Sequence, residues 1–517
     1  MAELIAIATA ARDLADRAIA RARELTADGA RIDDHQVVVE CVAYAATEAR
    51  VIDELVSAPD DVAGYANVAA AELAASIEHR LAFVLPELRR YDASVRGQLA
   101  ELASPAAYEA LGIGAIELAG RIAWPLDEML TDVRANVRAF AEREVMPHAE
   151  RIHHHDELVP ERFISEMAKL GYFGLSIPEQ YGGNELGNLA MILTTEELSR
   201  ASLAAAGSLI TRPEILAKAL LAGGTEEQKQ RWLPKLAGGE IMAAISVTEP
   251  DAGSDVASLA CRAEKVAGGY AITGAKAWCT FAGRADVIAL LARTSDAGAK
   301  GLTLFVVDKP RFDGHAFDAK QPGGGELSGK ATRTPGYRGM HSFTLAFDSW
   351  LVPDSHVVGG EAGVGRGFAL QMAGFAAGRL QTGGRACGVI AAAVEQTARY
   401  VAERRQFGKP IGDFGLTRYQ LGRMASRLVA ARAITYAAAN AMDQDERAAA
   451  PLAAMAKLFA CDIATEVTQL GQLLHGGWGY AEEYAISRYV ADAQVLPIFE
   501  GVRPILALKV VGRALLT

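Results

Sequence analysis

The sequence predicts a mainly helical protein with one β-rich domain set into it. Three observations predict this. Apolar residues recur at helical spacing through most of the chain. From Ile241 the period shortens to that of strands, with Gly, Pro and Asp turns between short apolar runs. Past Gly367 long helical patterns resume. With 517 residues, 51% of them apolar, the chain is long enough for about three domains. The expected division is a helical extension over residues 1–126, a helical domain over 127–240, a β-domain over 241–366 and a second helical domain over 367–517.

The extension begins with Leu4, Ile7, Ala11, Leu14, Ala18, Ile19 and Ala22 on one helical face. Gly29 and the polar Asp33-Asp34 turn end that helix, and a second is expected over about 35–57. Pro59-Asp60-Asp61 starts a third, expected to reach about Arg90, with Pro86 ending or kinking it. A fourth covers about 106–120, and Trp124-Pro125 breaks the pattern. No nucleophile, glycine-rich loop or ligand cluster occurs here, so a packed helical bundle is the expected state. The join Ala123-Trp124-Pro125-Leu126 has none of the Gly/Ser or charged composition of a flexible linker. Val133, Val137, Phe140, Ala141 and Val145 then open a new helical unit. Further helices are expected over about 187–207 and 211–238, punctuated by Gly224 and Gly238-Gly239. In the β-domain, 287–291, 302–307 and 343–347 read as strands, and a small barrel or sandwich is expected. Long helices follow over 368–404, 415–442 and 448–475.

Composition excludes several function classes. Net charge is −11 with no long basic run, which argues against nucleic-acid and anionic-membrane partners. The five cysteines, at 41, 261, 279, 387 and 461, have neither metal-site nor redox-motif spacing, so a reducing, cytoplasmic compartment is expected. The first residues lack a signal-peptide core. Ala-rich apolar stretches are interrupted by charge and read as packed helices, not membrane spans. His153-His154-His155 lies in a charged stretch and reads as solvated, and no metal is expected.

Four stretches carry chemistry. Thr248-Glu249-Pro250-Asp251-Ala252-Gly253-Ser254-Asp255 is a turn rich in oxygens and backbone donors; it suits a phosphate or heterocycle edge, or is a self-bonded surface turn. Trp278 and Thr280 are two apart on a strand, so one face would present both to a planar ligand; a core Trp beside a Thr is the alternative. Arg404-Arg405-Gln406-Phe407-Gly408 sets cations at a helix end, to meet phosphates or to cap the helix. In Leu496-Pro497-Ile498-Phe499-Glu500-Gly501 one acid sits among apolar residues. Burial there would raise its pKa and make it a base.

These stretches, with His475-Gly476-Gly477-Trp478-Gly479-Tyr480, follow one another as in the acyl-CoA dehydrogenase family, which residues 127–517 resemble. The resemblance implies a fold: helical domain, middle β-domain and C-terminal four-helix bundle, here with an added N-terminal helical extension. It implies FAD held between β-domain and bundle. Thr248 and Ser254 would meet the flavin edge and pyrophosphate, with Trp278 beside the isoalloxazine and Thr280 near its N5. Arg404, Gln406 and Phe407 would approach the FAD of a neighbouring subunit, and Gly476 and Gly477 would let backbone come close to it. Glu500 would take the α proton of an acyl-CoA while the β hydrogen leaves as hydride. Electron-transfer flavoprotein would accept the electrons.

The same resemblance implies a homo-oligomer, most simply a dimer. The extension points to members that oxidise a short branched dicarboxylic acyl-CoA. Arg212 with Thr211, near where dicarboxylate-specific relatives carry an arginine, and Arg385 are the candidates to meet the second carboxylate; pairing with a structural acid is the alternative for each. A short- or branched-chain monocarboxylic substrate is the other dehydrogenase reading. Flavin oxygenases and DNA-damage-associated proteins share the architecture, but an acidic chain with Glu at 500 departs from them. Leu473, Val502 and Phe343 depart from residues usual in the family, which affects adenine contacts and pocket, not chemistry.

Overall fold

The computed structural model describes residues 2–88 and 90–517. The chain divides into two compact units: residues 136–381, and residues 1–135 together with 382–517.

The extension supplies α1 (Ala2–Thr26), α2 (Gln36–Val56), α3 (Ala63–Val84), α4 (Ala93–Leu102) and α5 (Pro105–Glu117). The third helix is shorter than its pattern suggested. It stops at Val84, with Leu85 as its C-cap, because Pro86 disfavours helical backbone at the residue before it. Helix α4 escaped the sequence reading; its buried face is a single residue, Leu99, so it has almost no apolar period. Its start is a local signal, Asp92 accepting from Val95 N. Next come α6 (Glu128–Phe140), α7 (Met146–His155), α8 (Glu161–Lys169), α9 (Gly187–Ala201), α10 (Thr211–Gly223) and α11 (Glu226–Ala237). A capping box of Thr225 and Gln228 starts α11, dividing the expected 211–238 helix in two.

The β-domain is one eight-stranded sheet: β1 (Ala243–Ser246), β2 (Arg262–Val266), β3 (Gly269–Thr280), β4 (Val287–Arg293), β5 (Leu302–Asp308), β6 (Ala316–Lys320), β7 (Glu326–Thr332) and β8 (Ser342–Pro353). The order is β1-β4-β2-β3-β8-β7-β6, with β5 antiparallel to β4. One face of β4 and β5, through Ile288, Leu290, Phe305 and Val307, shares a core with Phe317 of β6 and Phe343 of β8. A single sheet whose distant strands share one core must curl on itself, so the domain is a half-barrel rather than two stacked sheets. The alternate residues Val287, Ala289, Leu291, Leu304 and Val306 pack on Leu216, Leu220, Trp232 and Leu236 of α10 and α11. Burial on both faces explains the unbroken apolar runs of these strands.

The chain then forms α12 (Gly367–Glu403), a hairpin of β9 (Arg405–Gln406) and β10 (Lys409–Pro410), α13 (Gly415–Gln444), α14 (Glu446–His475) and α15 (Ile486–Ala493). Residues 446–480 are long and apolar enough to cross a membrane, but 61% of their most apolar window is buried within the protein. Within the unit formed by residues 1–135 and 382–517, the extension packs on the bundle: α5, α3 and α2 all lie against α13. Ion pairs join them. Glu72 of α3 accepts from Arg423 Nε at 2.9 Å and Arg427 Nη2 at 2.7 Å. Tyr44 of α2 donates to Asp462 of α14 at 2.5 Å, and Arg503 lies 3.6 Å from the same carboxylate.

Candidate active site

The predicted residues divide between the two units. In residues 136–381, the 248–255 turn is anchored from beneath. Lys276, fully buried on β3, pairs with the buried Glu249 at 2.8 Å and donates to Val247 O at 2.9 Å. Glu249 also accepts from Ala260 N at 2.7 Å and Cys261 N at 2.9 Å. A buried carboxylate so satisfied is structural, and it leaves Thr248 and the exposed Ser254 to present their oxygens. Sequence reasoning missed this pair; the signal was a lysine beside Trp278 on a strand, 27 residues from a glutamate in the turn.

Trp278 and Thr280 do not lie on one regular strand face. The β3–β8 register shifts between Lys276 and Cys279, which marks a bulge. Trp278 adopts φ +57° there and is 58% exposed. A large ring in left-handed backbone, turned outward, is costly and marks a site. Thr280 is buried, with its hydroxyl 2.8 Å from that of Ser342. Phe343, next along β8, is a core residue 5.8 Å from Phe317, centroid to centroid.

At the start of α10, Thr211 is fully buried and its hydroxyl has no hydrogen-bond partner among the described residues. Arg212 beside it is only 5% exposed. Its Nη1 donates to the phenol of Tyr337 at 3.1 Å, and it has no carboxylate partner among the described residues. Leaving a guanidinium buried against a phenol is unfavourable unless an anion completes it. Among the described residues, then, no acid pairs with Arg212.

In the other unit, Glu500 and Gly501 turn the chain after α15 with φ of +54° and +102°. Lys457 of α14 donates to Gly501 O at 2.8 Å and pins that turn. Glu500 is half-buried rather than enclosed, so burial within its own unit is not what would make it a base. Its backbone N–H donates to no other described residue. Arg385, fully buried, donates to Thr382 at 2.6 Å and lies over the Phe499 ring at 4.6 Å, so it orders the residue preceding Glu500.

Gly476 adopts φ +62°, ψ −140°, a region open only to glycine. A Cβ on Gly476 or Gly477 would meet nothing within 4 Å among the described residues, so Gly476 is required by its backbone and Gly477 by no packing contact seen there. Tyr400 stacks on His475 at 4.2 Å and donates to its carbonyl at 3.0 Å, holding the start of this segment. In the β9–β10 hairpin, Phe407 and Gly408 have φ of +51° and +83°, the primed turn that matches strand twist. It leaves Phe407 93% exposed, beside the exposed Arg404 and Gln406.

Within residues 136–381, an outward Trp in a bulge and an oxygen-rich turn suit a planar group with phosphates; in the other unit, two glycines are bare on their outer side.

Residues 127–240 match the acyl-CoA dehydrogenase N-terminal domain, 244–349 its middle domain and 365–516 its C-terminal domain. The chain is 41% identical over 394 residues to (2S)-methylsuccinyl-CoA dehydrogenase from Cereibacter sphaeroides, across 76% of this chain and 70% of that protein. Among solved structures, butyryl-CoA dehydrogenase from Megasphaera elsdenii superposes with a TM-score of 0.70 at 29% identity, covering 76% of this chain and 100% of that one. Glutaryl-coenzyme A dehydrogenase in its glutaryl-CoA complex gives 0.68 at 30% identity, covering 74% and 94%.

Proposed function

Because this chain belongs to the acyl-CoA dehydrogenase family, an FAD-dependent class of enzyme, we propose that it oxidises a short branched dicarboxylic acyl-CoA, (2S)-methylsuccinyl-CoA, to mesaconyl-CoA. The general activity, FAD-dependent acyl-CoA dehydrogenation, is that of the family. One observation carries the finer reading: the buried Arg212, whose hydrogen-bond partner among the described residues is a phenol, beside the Thr211 hydroxyl, which has none among them. A guanidinium binds a carboxylate through two parallel hydrogen bonds. The methylsuccinyl-CoA enzyme from Cereibacter sphaeroides is a relative, and the glutaryl-CoA complex is a similar structure with a dicarboxylic acyl group.

Each residue has an assigned part. Glu500 removes the α proton, and its free backbone N–H polarises the thioester carbonyl. Thr248, Ser254, Trp278 and Thr280 hold FAD from the β-domain. Bound FAD would supply a hydride acceptor for the β hydrogen. Arg385 acts through Phe499 as a positioning residue, rather than as a second carboxylate ligand. Arg404, Gln406 and Phe407 reach the cofactor of a second copy, along with Gly476 and Gly477. A ring as exposed as Phe407 suits burial against a partner, and a homodimer is the simplest assembly. The electron acceptor we assign is an electron-transfer flavoprotein, and the compartment the cytoplasm.

The test is a substrate panel with a dye acceptor: methylsuccinyl-, glutaryl-, isobutyryl- and butyryl-CoA. Highest kcat/KM on methylsuccinyl-CoA is expected. Preference for isobutyryl- or butyryl-CoA would overturn the dicarboxylate assignment and leave the dehydrogenase intact.

A further inference from the structure

Away from these residues, three metal-ligating side chains converge within the unit of residues 136–381. Asp156 caps α7, His315 precedes β6 and His341 precedes β8. Their ligand atoms lie within 4.8 Å of one another. His341 Nε2 is 3.0 Å from His315 Nε2 and 3.0 Å from Asp156 Oδ1. None of His153, His154 and His155 belongs to the cluster.

His341 Nδ1 faces the carbonyl of Gly339 at 3.2 Å. The tautomer with its proton on Nδ1 donates to that carbonyl and aims the Nε2 lone pair at the point where Asp156 and His315 converge.

We propose that Asp156, His315 and His341 form a site for a Zn²⁺-class divalent transition ion, with water in the fourth position. Tetrahedral Zn²⁺ with Zn–N and Zn–O bonds of about 2.0–2.2 Å sets its ligand atoms about 3.3 Å apart. The two 3.0 Å separations need only a slight opening to reach this. The Gly339 carbonyl supplies the orienting bond that a ligating imidazole usually makes from its other nitrogen. Both Asp156 and His341 sit in left-handed backbone, with φ of +54° and +44°. Such strain persists where surrounding structure holds it for a purpose. His341 is buried, Asp156 half-buried and His315 exposed, which gives an ion a way in. Arg338, with Nε 3.8 Å from Asp156 Oδ1, opposes the ion's charge. Selectivity therefore falls to the two imidazoles, which favour Zn²⁺ over Mg²⁺ or Ca²⁺.

The site adjoins the flavin platform. Ser342, which follows His341, bonds Thr280, and Phe281 N donates to His341 O at 2.8 Å. An ion there ties α7 to the strand entries on which Thr280 rests.

Tag-free holoenzyme is equilibrated with Zn²⁺ or Co²⁺, passed through gel filtration and assayed for metal, flavin and thermal midpoint. The expected result is one ion per chain, a visible Co²⁺ ligand-field band and a raised midpoint with Zn²⁺. His315→Ala removes an exposed ligand, and Asp156→Asn keeps a residue that tolerates left-handed backbone. Each should weaken metal binding at least ~10-fold and abolish the Zn²⁺-dependent midpoint shift, with flavin content retained. His154→Ala should change neither. Wild type that takes up no ion, or His315→Ala and Asp156→Asn proteins that bind it as wild type does, would overturn the site.

Discussion

Gly112 of α5 and Gly422 of α13 face each other where the extension meets the bundle. A Cβ on Gly422 would lie 3.0 Å from Gly112 N and overlap the carbonyl of Tyr108, and one on Gly112 would overlap the carbonyl of Arg418. The two helix backbones are therefore in contact, and the extension is part of the bundle's unit rather than a tethered module. Gly422→Ala should force the helices apart and lower stability by about 1–3 kcal/mol, read as a fall in urea midpoint. An unchanged midpoint would show that the backbones do not meet.

The same seam carries a pH dependence. Burial alone would raise Glu72, but Arg427 and Arg423 outweigh it and hold its carboxyl below the ordinary 4.5. A depressed carboxyl stabilises the folded state above its unfolded pKa, and that stability is lost as pH falls through the folded value. Glu72→Gln should cost about 1–3 kcal/mol at pH 7. The gap from wild type should narrow as pH drops below about 4.5. A gap that stays constant with pH would place the effect in shape rather than charge.

Glu500→Gln should retain yellow flavin and full folding, since Lys457 and Gly501 hold the turn through backbone. Flavin bleaching by substrate should slow by roughly 10²–10⁴-fold. Near-normal bleaching would place the base elsewhere.

Arg212→Met should reduce kcat/KM for methylsuccinyl-CoA at least ~10-fold, the low end for loss of a buried charge partner. Any butyryl-CoA activity should stay about the same. Equal loss on both substrates would assign Arg212 to structure, through Tyr337.

Much of this was legible in the chain. The order of helical and strand periods follows directly from where apolar residues recur, because those periods reflect local backbone geometry. The motifs from Thr248 to Gly501 pointed to the family that the domain matches show. Tertiary structure decided what depends on partners distant in sequence. Arg212 reads in sequence as a ligand or as half of an ion pair, and the partner that the structure gives its guanidinium among the described residues is Tyr337, 125 residues away. Trp278 turns outward through a bulge whose register is set by β8, which strand alternation cannot express. Gly112 and Gly422 look like weak points in two helices until the helices touch. Asp156, His315 and His341 come together because three separate elements end at one point, and no spacing rule spans such distances.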